Sequence, residues 1–184
     1  MASSTQASDA AASPGAGSGV VPPLERLFPF PLDGFQLEAI DALNQGHSVV
    51  VSAPTGSGKT LVGEYAIHRA LAHGRKVFYT TPLKALSNQK LRDFREQFGA
   101  ERVGLMTGDL TVNREASVVV MTTEIFRNML YAEADQGDDP LEDVEAVVLD
   151  ECHYMNDSQR GTVWEESIIH CPPVVQLVAL SVTV

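Results

Sequence analysis

Short β-branched runs alternate along this chain with longer amphipathic stretches, and the alternation predicts the architecture. Ser48-Val49-Val50-Val51-Ser52 reads as a buried strand, and Leu61 to His73 repeats apolar residues at helical spacing. Lys76 to Thr80 predicts a strand and Leu83 to Phe98 a helix. Arg102 to Met106 and Ser117 to Met121 predict strands, followed by a helix over Thr123 to Tyr131. Glu145 to Leu149 predicts a strand, Gly161 to His170 a helix and Val174 to Ser181 a last strand. Val-rich strands without a polar face need cover on both sides. The expected class is therefore α/β, a mostly parallel sheet with helices on both faces.

The pattern fails at two places. Residues 1–20 hold 14 Ala, Ser or Gly and no hydrophobic period, which predicts a disordered tail over 1–21 with order starting near Pro22. The first basic residue is Arg26, which argues against a secretory signal and an Arg-rich transit peptide. Asp135 to Asp143 reads as a solvated acidic loop.

Ligands of open parallel sheets sit at the carboxyl ends of the strands. The polar clusters fall there: Ala53 to Thr60, Thr81 to Lys84, Thr107 to Asp109, Thr122 to Glu124 and Asp150 to His153. The first is the most informative. Ala53-Pro54-Thr55-Gly56-Ser57-Gly58-Lys59-Thr60 joins a strand to a helix, as a phosphate-binding loop requires. Gly56 and Gly58 let the backbone curl its N–H groups inward, and the helix start adds positive potential. Lys59 supplies a full charge, and Thr60 offers a hydroxyl to Mg²⁺. Ala53 stands where the usual pattern has Gly.

Asp150 and Glu151 end a buried strand beside that loop. Asp150 is placed to hold Mg²⁺, and Glu151 to orient and deprotonate a water. His153 reads as a coupling residue, a metal ligand or an exposed histidine. Zinc is disfavoured, because the adjacent pairs Cys152-His153 and His170-Cys171 each offer one ligand easily and two with difficulty. Thr81 to Lys90 follows a strand with Pro, hydroxyls and cations, which suits a nucleic-acid phosphate at a helix start or an ordinary solvated turn. Thr122-Thr123 with Arg127 repeats that design. Phe30 and Gln36 offer an aromatic face and an amide that suit adenine, or else a core anchor and a helix start. Ser181 and Thr183 lie two apart at a strand end, so their hydroxyls share a face. Trp164-Glu165-Glu166 reads as helix surface with no catalytic role.

Composition changes this picture little. The net charge is −11, but nine of the 24 acids lie between Glu133 and Glu151, and the rest of the chain is near neutral. Bulk charge thus neither supports nor excludes a phosphate-rich partner. No apolar run is long enough to span a membrane. Two cysteines indicate no disulfide framework and favour a reducing compartment, the cytoplasm, or a plastid stroma if the source is a plant or alga.

Taken in order, Phe30 to Gln36, Ala53 to Thr60, Thr81 to Lys90, Thr107 to Asp109, Thr122 to Tyr131, Asp150 to His153 and Ser181 to Thr183 resemble the first motor domain of a superfamily 2 DExH-box helicase. The likeness is strongest to the superkiller-like RNA helicases, in the branch of cyanobacteria and chloroplasts. It implies a RecA-like P-loop domain over 22–184, ATP and Mg²⁺ as cofactors, single-stranded RNA (or DNA) as partner, and no membrane. It implies that Phe30 and Gln36 hold adenine, while Thr55, Gly56, Ser57, Gly58, Lys59 and Thr60 hold phosphate and Mg²⁺ together with Asp150. Glu151 would activate water. Pro82, Leu83, Lys84, Gly108, Thr122, Thr123 and Arg127 would line a single strand. His153, Ser181 and Thr183 would couple hydrolysis to domain movement. Val182 departs from the family's usual Ala. The resemblance also implies a second RecA-like domain beyond Val184 that supplies arginines to the ATP site, and hence a nearly inactive isolated chain.

Overall fold

Strand residues alternate between two apolar layers. The computed structural model describes residues 19–136, 139–156 and 161–182. On β2 (Lys76–Thr81), Val77 and Tyr79 face one core and Phe78 the other. β5 (Val118–Thr122) and β6 (Val144–Leu149) alternate likewise, with Val120 and Val148 on one side and Met121 and Val147 on the other. The remaining strands are β1 (Val49–Ser52), β3 (Val103–Met106), β4 (Thr111–Val112) and β7 (Gln176–Ser181). They form one sheet in the order β1-β7-β6-β2-β5-β3-β4, parallel except for the β3–β4 pair.

The first core is covered by α2 (Gly34–Asn44), α3 (Thr60–His73) and α4 (Lys84–Phe98), preceded by the single turn α1 (Leu24–Leu27). The second is covered by α5 (Thr123–Gln136) with α6 (Gly161–His170) against it. α3 lies close on the sheet because it carries Gly63. A Cβ there would stand 3.2 Å from both the Tyr79 ring and Val148. At the amino ends of the strands, Arg69 and His73 of α3 close on Glu145, at 3.3 and 2.8 Å. Gln176 accepts from Arg69 and donates to the carbonyls of Leu43 and His47. This network ties α2, α3, β6 and β7 together and leaves the carboxyl ends for the site.

Four expectations change. Order is already present at Gly19, whose N–H donates to the Ala72 carbonyl at 2.8 Å, and Val21 packs on the first core. Residues 1–18 lie outside the described residues. The helix expected to end at Tyr131 runs to Gln136, since Ala, Glu and Gln continue the sequence until Gly137. The acidic segment is not wholly solvated: Leu141 is buried in the second core, and its N–H donates to Asp139 Oδ1 at 2.8 Å. The edge strand β4 and the turn α1 went unpredicted, because neither is long enough to show a period.

Candidate nucleotide and nucleic-acid site

The parallel register brings the ends of β1, β7, β6, β2 and β5 to one edge. Beyond β1, the Ala53 N–H donates to the Ser181 carbonyl at 3.2 Å, so the phosphate loop starts tied to the end of β7. The loop turns through Gly56 and Gly58, both left-handed at φ 80° and 81°. Lys59 caps α3 from a helical conformation and is 8% exposed, yet among the described residues its ammonium has one long contact, 3.5 Å to the Pro54 carbonyl. Ser57 Oγ is buried without a hydrogen-bond partner. A buried cation and a buried hydroxyl left this way are costly, and an anion seated in the loop would relieve both.

Gln36 meets the same loop from α2. Its Oε1 accepts the Asp33 N–H at 2.8 Å, and its Nε2 donates to the Gly58 carbonyl at 2.9 Å. A Cβ at Gly58 would sit 2.7 Å from that nitrogen, so glycine is needed there for space as well as for φ. Gln36 therefore first splices a helix start to the phosphate loop, and keeps one N–H and one lone pair for a ligand. Phe30 is half exposed, tilted against Phe28 at 6.2 Å, in a shallow apolar cleft with Pro29, Pro31, Leu32 and Leu37.

The acid pair follows β6. Asp150 is buried; its N–H continues the ladder to the Thr80 carbonyl, at 3.0 Å. Asp150 Oδ1 accepts the Glu151 N–H at 2.9 Å, and Oδ2 accepts the Tyr79 hydroxyl at 2.7 Å. Burial, and next the Asp150 charge beside it, push the Tyr79 hydroxyl well above its usual range and keep it a donor. Glu151 sits at φ 56°, a left-handed conformation that costs a non-glycine residue about 1 kcal/mol or more and recurs at functional sites. Its carboxylate meets His153 Nε2 at 3.1 Å, while His153 Nδ1 accepts the Val182 N–H at 3.4 Å. The ring thus bridges Glu151 to the end of β7. Ser181 Oγ donates to the Val182 carbonyl at 3.4 Å, and Thr183 lies outside the described residues. Cys152 points away from this chemistry: its buried thiol donates to the Leu149 carbonyl, and burial pushes its pKa to about 12.

The other half of the edge surrounds α4. Thr81 Oγ1 donates to the Leu83 carbonyl at 3.0 Å and pairs with Ser87 Oγ at 2.7 Å, which fixes the Pro82-Leu83 turn. Leu83 at the start of α4 supplies no side-chain cap. Lys84 is exposed and ion-paired with Asp109, which Thr107 also supports. Gly108 is exposed beside them. The Thr123 hydroxyl is buried and donates to the Thr81 carbonyl at 3.2 Å, so only its backbone remains for a ligand. Arg127 is half-buried and reaches Glu166 of α6 at 3.7 Å, with its Nε buried and unpartnered. Glu166 thus acts on this edge, beyond the plain helix surface expected of it. Tyr79 was not foreseen as a site residue, because a tyrosine inside an apolar strand reads as core.

A phosphate loop, a strand-end acid pair and a third strand end joined to both decide the assignment when set beside the profile of the DEAD/DEAH box helicases, which matches residues 33–184. This chain belongs to the DEAD/DEAH box helicase family. It is 57% identical over 160 residues to the chloroplast DExH-box ATP-dependent RNA helicase DExH15 of Arabidopsis thaliana, covering 86% of the chain and 14% of that relative. It is 52% identical over 165 residues to the antiviral helicase SKI2 of Saccharomyces cerevisiae, covering 90% of the chain and 12% of that protein. The chain therefore spans about a seventh of the length of such relatives. The DNA-bound structure of the DUF1998 helicase MrfA shares the fold, with a TM-score of 0.69 at 18% identity over 88% of the chain and 26% of that structure. The expected family and the α/β RecA-like fold both stand. Among the described residues no helix is long and apolar enough to cross a membrane.

Proposed function

We propose that residues 22–184 form the first RecA-like domain of an ATP-dependent RNA helicase that couples hydrolysis to single-strand binding and unwinding. One observation carries the reading: the loop with its orphaned Ser57 hydroxyl, the acid pair and the Pro82–Lys84 turn converge on one sheet edge.

In this reading Lys59 and the N–H groups from Thr55 to Thr60 hold the β- and γ-phosphates. Phe30 stacks on adenine, and Gln36 meets its edge with the donor and acceptor left to it. Thr60 and Asp150 are hard oxygen donors that suit Mg²⁺. When bound, Mg²⁺ offsets charge on the transferring phosphate. Glu151 orients the attacking water and takes its proton, and His153 holds Glu151 from behind. The contacts of Ala53 with Ser181 and of His153 with Val182 are the path by which Ser181 and Thr183 would report the nucleotide state. Pro82, Leu83, Lys84, Gly108, Thr122, Thr123 and Arg127 would track the backbone of a single strand, Thr123 through its N–H alone. Relatives that are named RNA helicases support RNA as that strand.

A second RecA-like domain would complete the ATP site with arginines, a contribution worth roughly 10³–10⁵ in rate. The full protein would work in a reducing compartment, the cytoplasm or a plastid stroma. Steady-state ATP turnover by this chain, with single-stranded RNA, with DNA and with neither, against Lys59→Ala, tests the reading. Binding of Mg·ATP that needs Lys59, with turnover near background, is expected. Strong RNA-stimulated turnover by the chain alone would remove the need for a second domain.

A further inference from the structure

Tyr79 stands between the two halves of the edge and belongs to neither set of motif residues. Its hydroxyl donates to Asp150 Oδ2 at 2.7 Å. Its ring, fully buried, packs edge-on against Phe94 of α4 at 4.9 Å, and the Lys90 ammonium lies 5.5 Å above it. Both ring partners sit on the helix that begins at the Pro82–Lys84 turn. Beneath, α3 crosses at Gly63, where an added Cβ would stand 3.2 Å from the ring. The ring is thus packed between α4 and α3.

Asp150 needs that fixing. Its two described acceptor contacts are the Glu151 N–H, supplied by a residue in a strained left-handed turn, and the Tyr79 hydroxyl. The turn alone ties one oxygen; the tyrosine sets the rotation of the carboxylate, and so the direction of its remaining lone pairs. Groups that orient a metal ligand in this way commonly change metal affinity 10–100-fold when removed.

We propose that Tyr79 is a positioning residue that aims the Asp150 carboxylate at Mg²⁺ and joins it mechanically to α4. This rests on the nucleotide-binding reading above. A shift of α4 on taking a nucleic-acid phosphate would reach Asp150 through the Lys90–Tyr79–Phe94 stack. A purely structural tyrosine would change stability without changing the metal requirement.

The test is Tyr79→Phe, which keeps the ring. Binding of a fluorescent ATP analogue is titrated with Mg²⁺, and also measured in EDTA, alongside a thermal melt. The half-saturating Mg²⁺ concentration should rise about tenfold, while binding in EDTA stays unchanged. Equal Mg²⁺ requirements in variant and wild type would overturn the proposal and leave the nucleotide site intact. Failure of the wild type to bind Mg·ATP would instead take down both readings. If Tyr79→Phe does not fold, Lys90→Met decides the matter. It loosens the stack with the hydroxyl in place, and should raise the Mg²⁺ requirement about two- to threefold, roughly 0.5 kcal/mol. No change in that variant would overturn the proposal.

Discussion

At the Ala53–Thr60 end of the edge, Lys59 is buried with a single long contact among the described residues, whereas at the other end Lys84 and Arg127 are each closed on a carboxylate, Asp109 and Glu166. A phosphate arriving in the loop meets an uncommitted cation and an orphaned hydroxyl. A phosphate arriving at α4 meets a lysine that must first leave Asp109. Exposed ion pairs are weak, so the displacement is easy but not free. The first half is prepared before its ligand comes; the second is adjustable, and its own acids compete with the ligand.

The largest break in this contrast should come from Lys59→Ala. Hydrogen bonds to charged groups contribute about 1.5–3 kcal/mol each, and the alanine also strips the loop of its one full charge. ATP affinity should fall roughly a hundredfold, as read by calorimetry, with little change in the melting temperature.

The prepared half also holds protons that the unfolded chain would release. The folded Cys152 thiol titrates at about 12 against an ordinary 9.0, and the Tyr79 hydroxyl is likewise raised. Above pH 9 the unfolded chain binds fewer protons than the folded one, so stability falls as pH rises. The loss approaches about 1 kcal/mol per pH unit for each such group. Stability against urea should therefore be level from pH 7 to 9 and decline from 9 towards 12, and Cys152→Ala should flatten part of that decline.

Smaller effects sharpen the other side. Asp109→Asn removes the competitor of Lys84, and single-stranded RNA affinity should rise about two- to fivefold in low salt, consistent with an exposed pair. Fluorescence anisotropy checks this, and the gain should shrink as salt is added. Glu166→Gln should act in the same direction on Arg127, by about twofold or less, because the 3.7 Å contact is already long.

How much of this was legible in the chain follows from the range of each interaction. The β-branched runs and the loop Ala53 to Thr60 carry local signals, and the strand ends and the turn between β1 and α3 followed from them. The partners of Gln36, Tyr79 and Arg127 lie 22, 71 and 39 residues away in sequence. No periodicity reports such pairs. The tie of the Gln36 amide to Gly58 and the reach of Arg127 to Glu166 were therefore not legible in the chain. Thr123 shows the same limit, its hydroxyl turned to Thr81 once β2 and β5 pair. The pair β3–β4 escaped notice because a two-residue strand has no pattern to read.

The most direct test of the central claim is an equilibrium titration of the chain with a fluorescent ATP analogue and Mg²⁺, wild type beside Lys59→Ala. Saturable binding by the wild type that is lost in the variant, with both proteins melting alike, is the predicted result. Equal binding by the two, or none by the folded wild type, would contradict a prepared phosphate site built on Lys59.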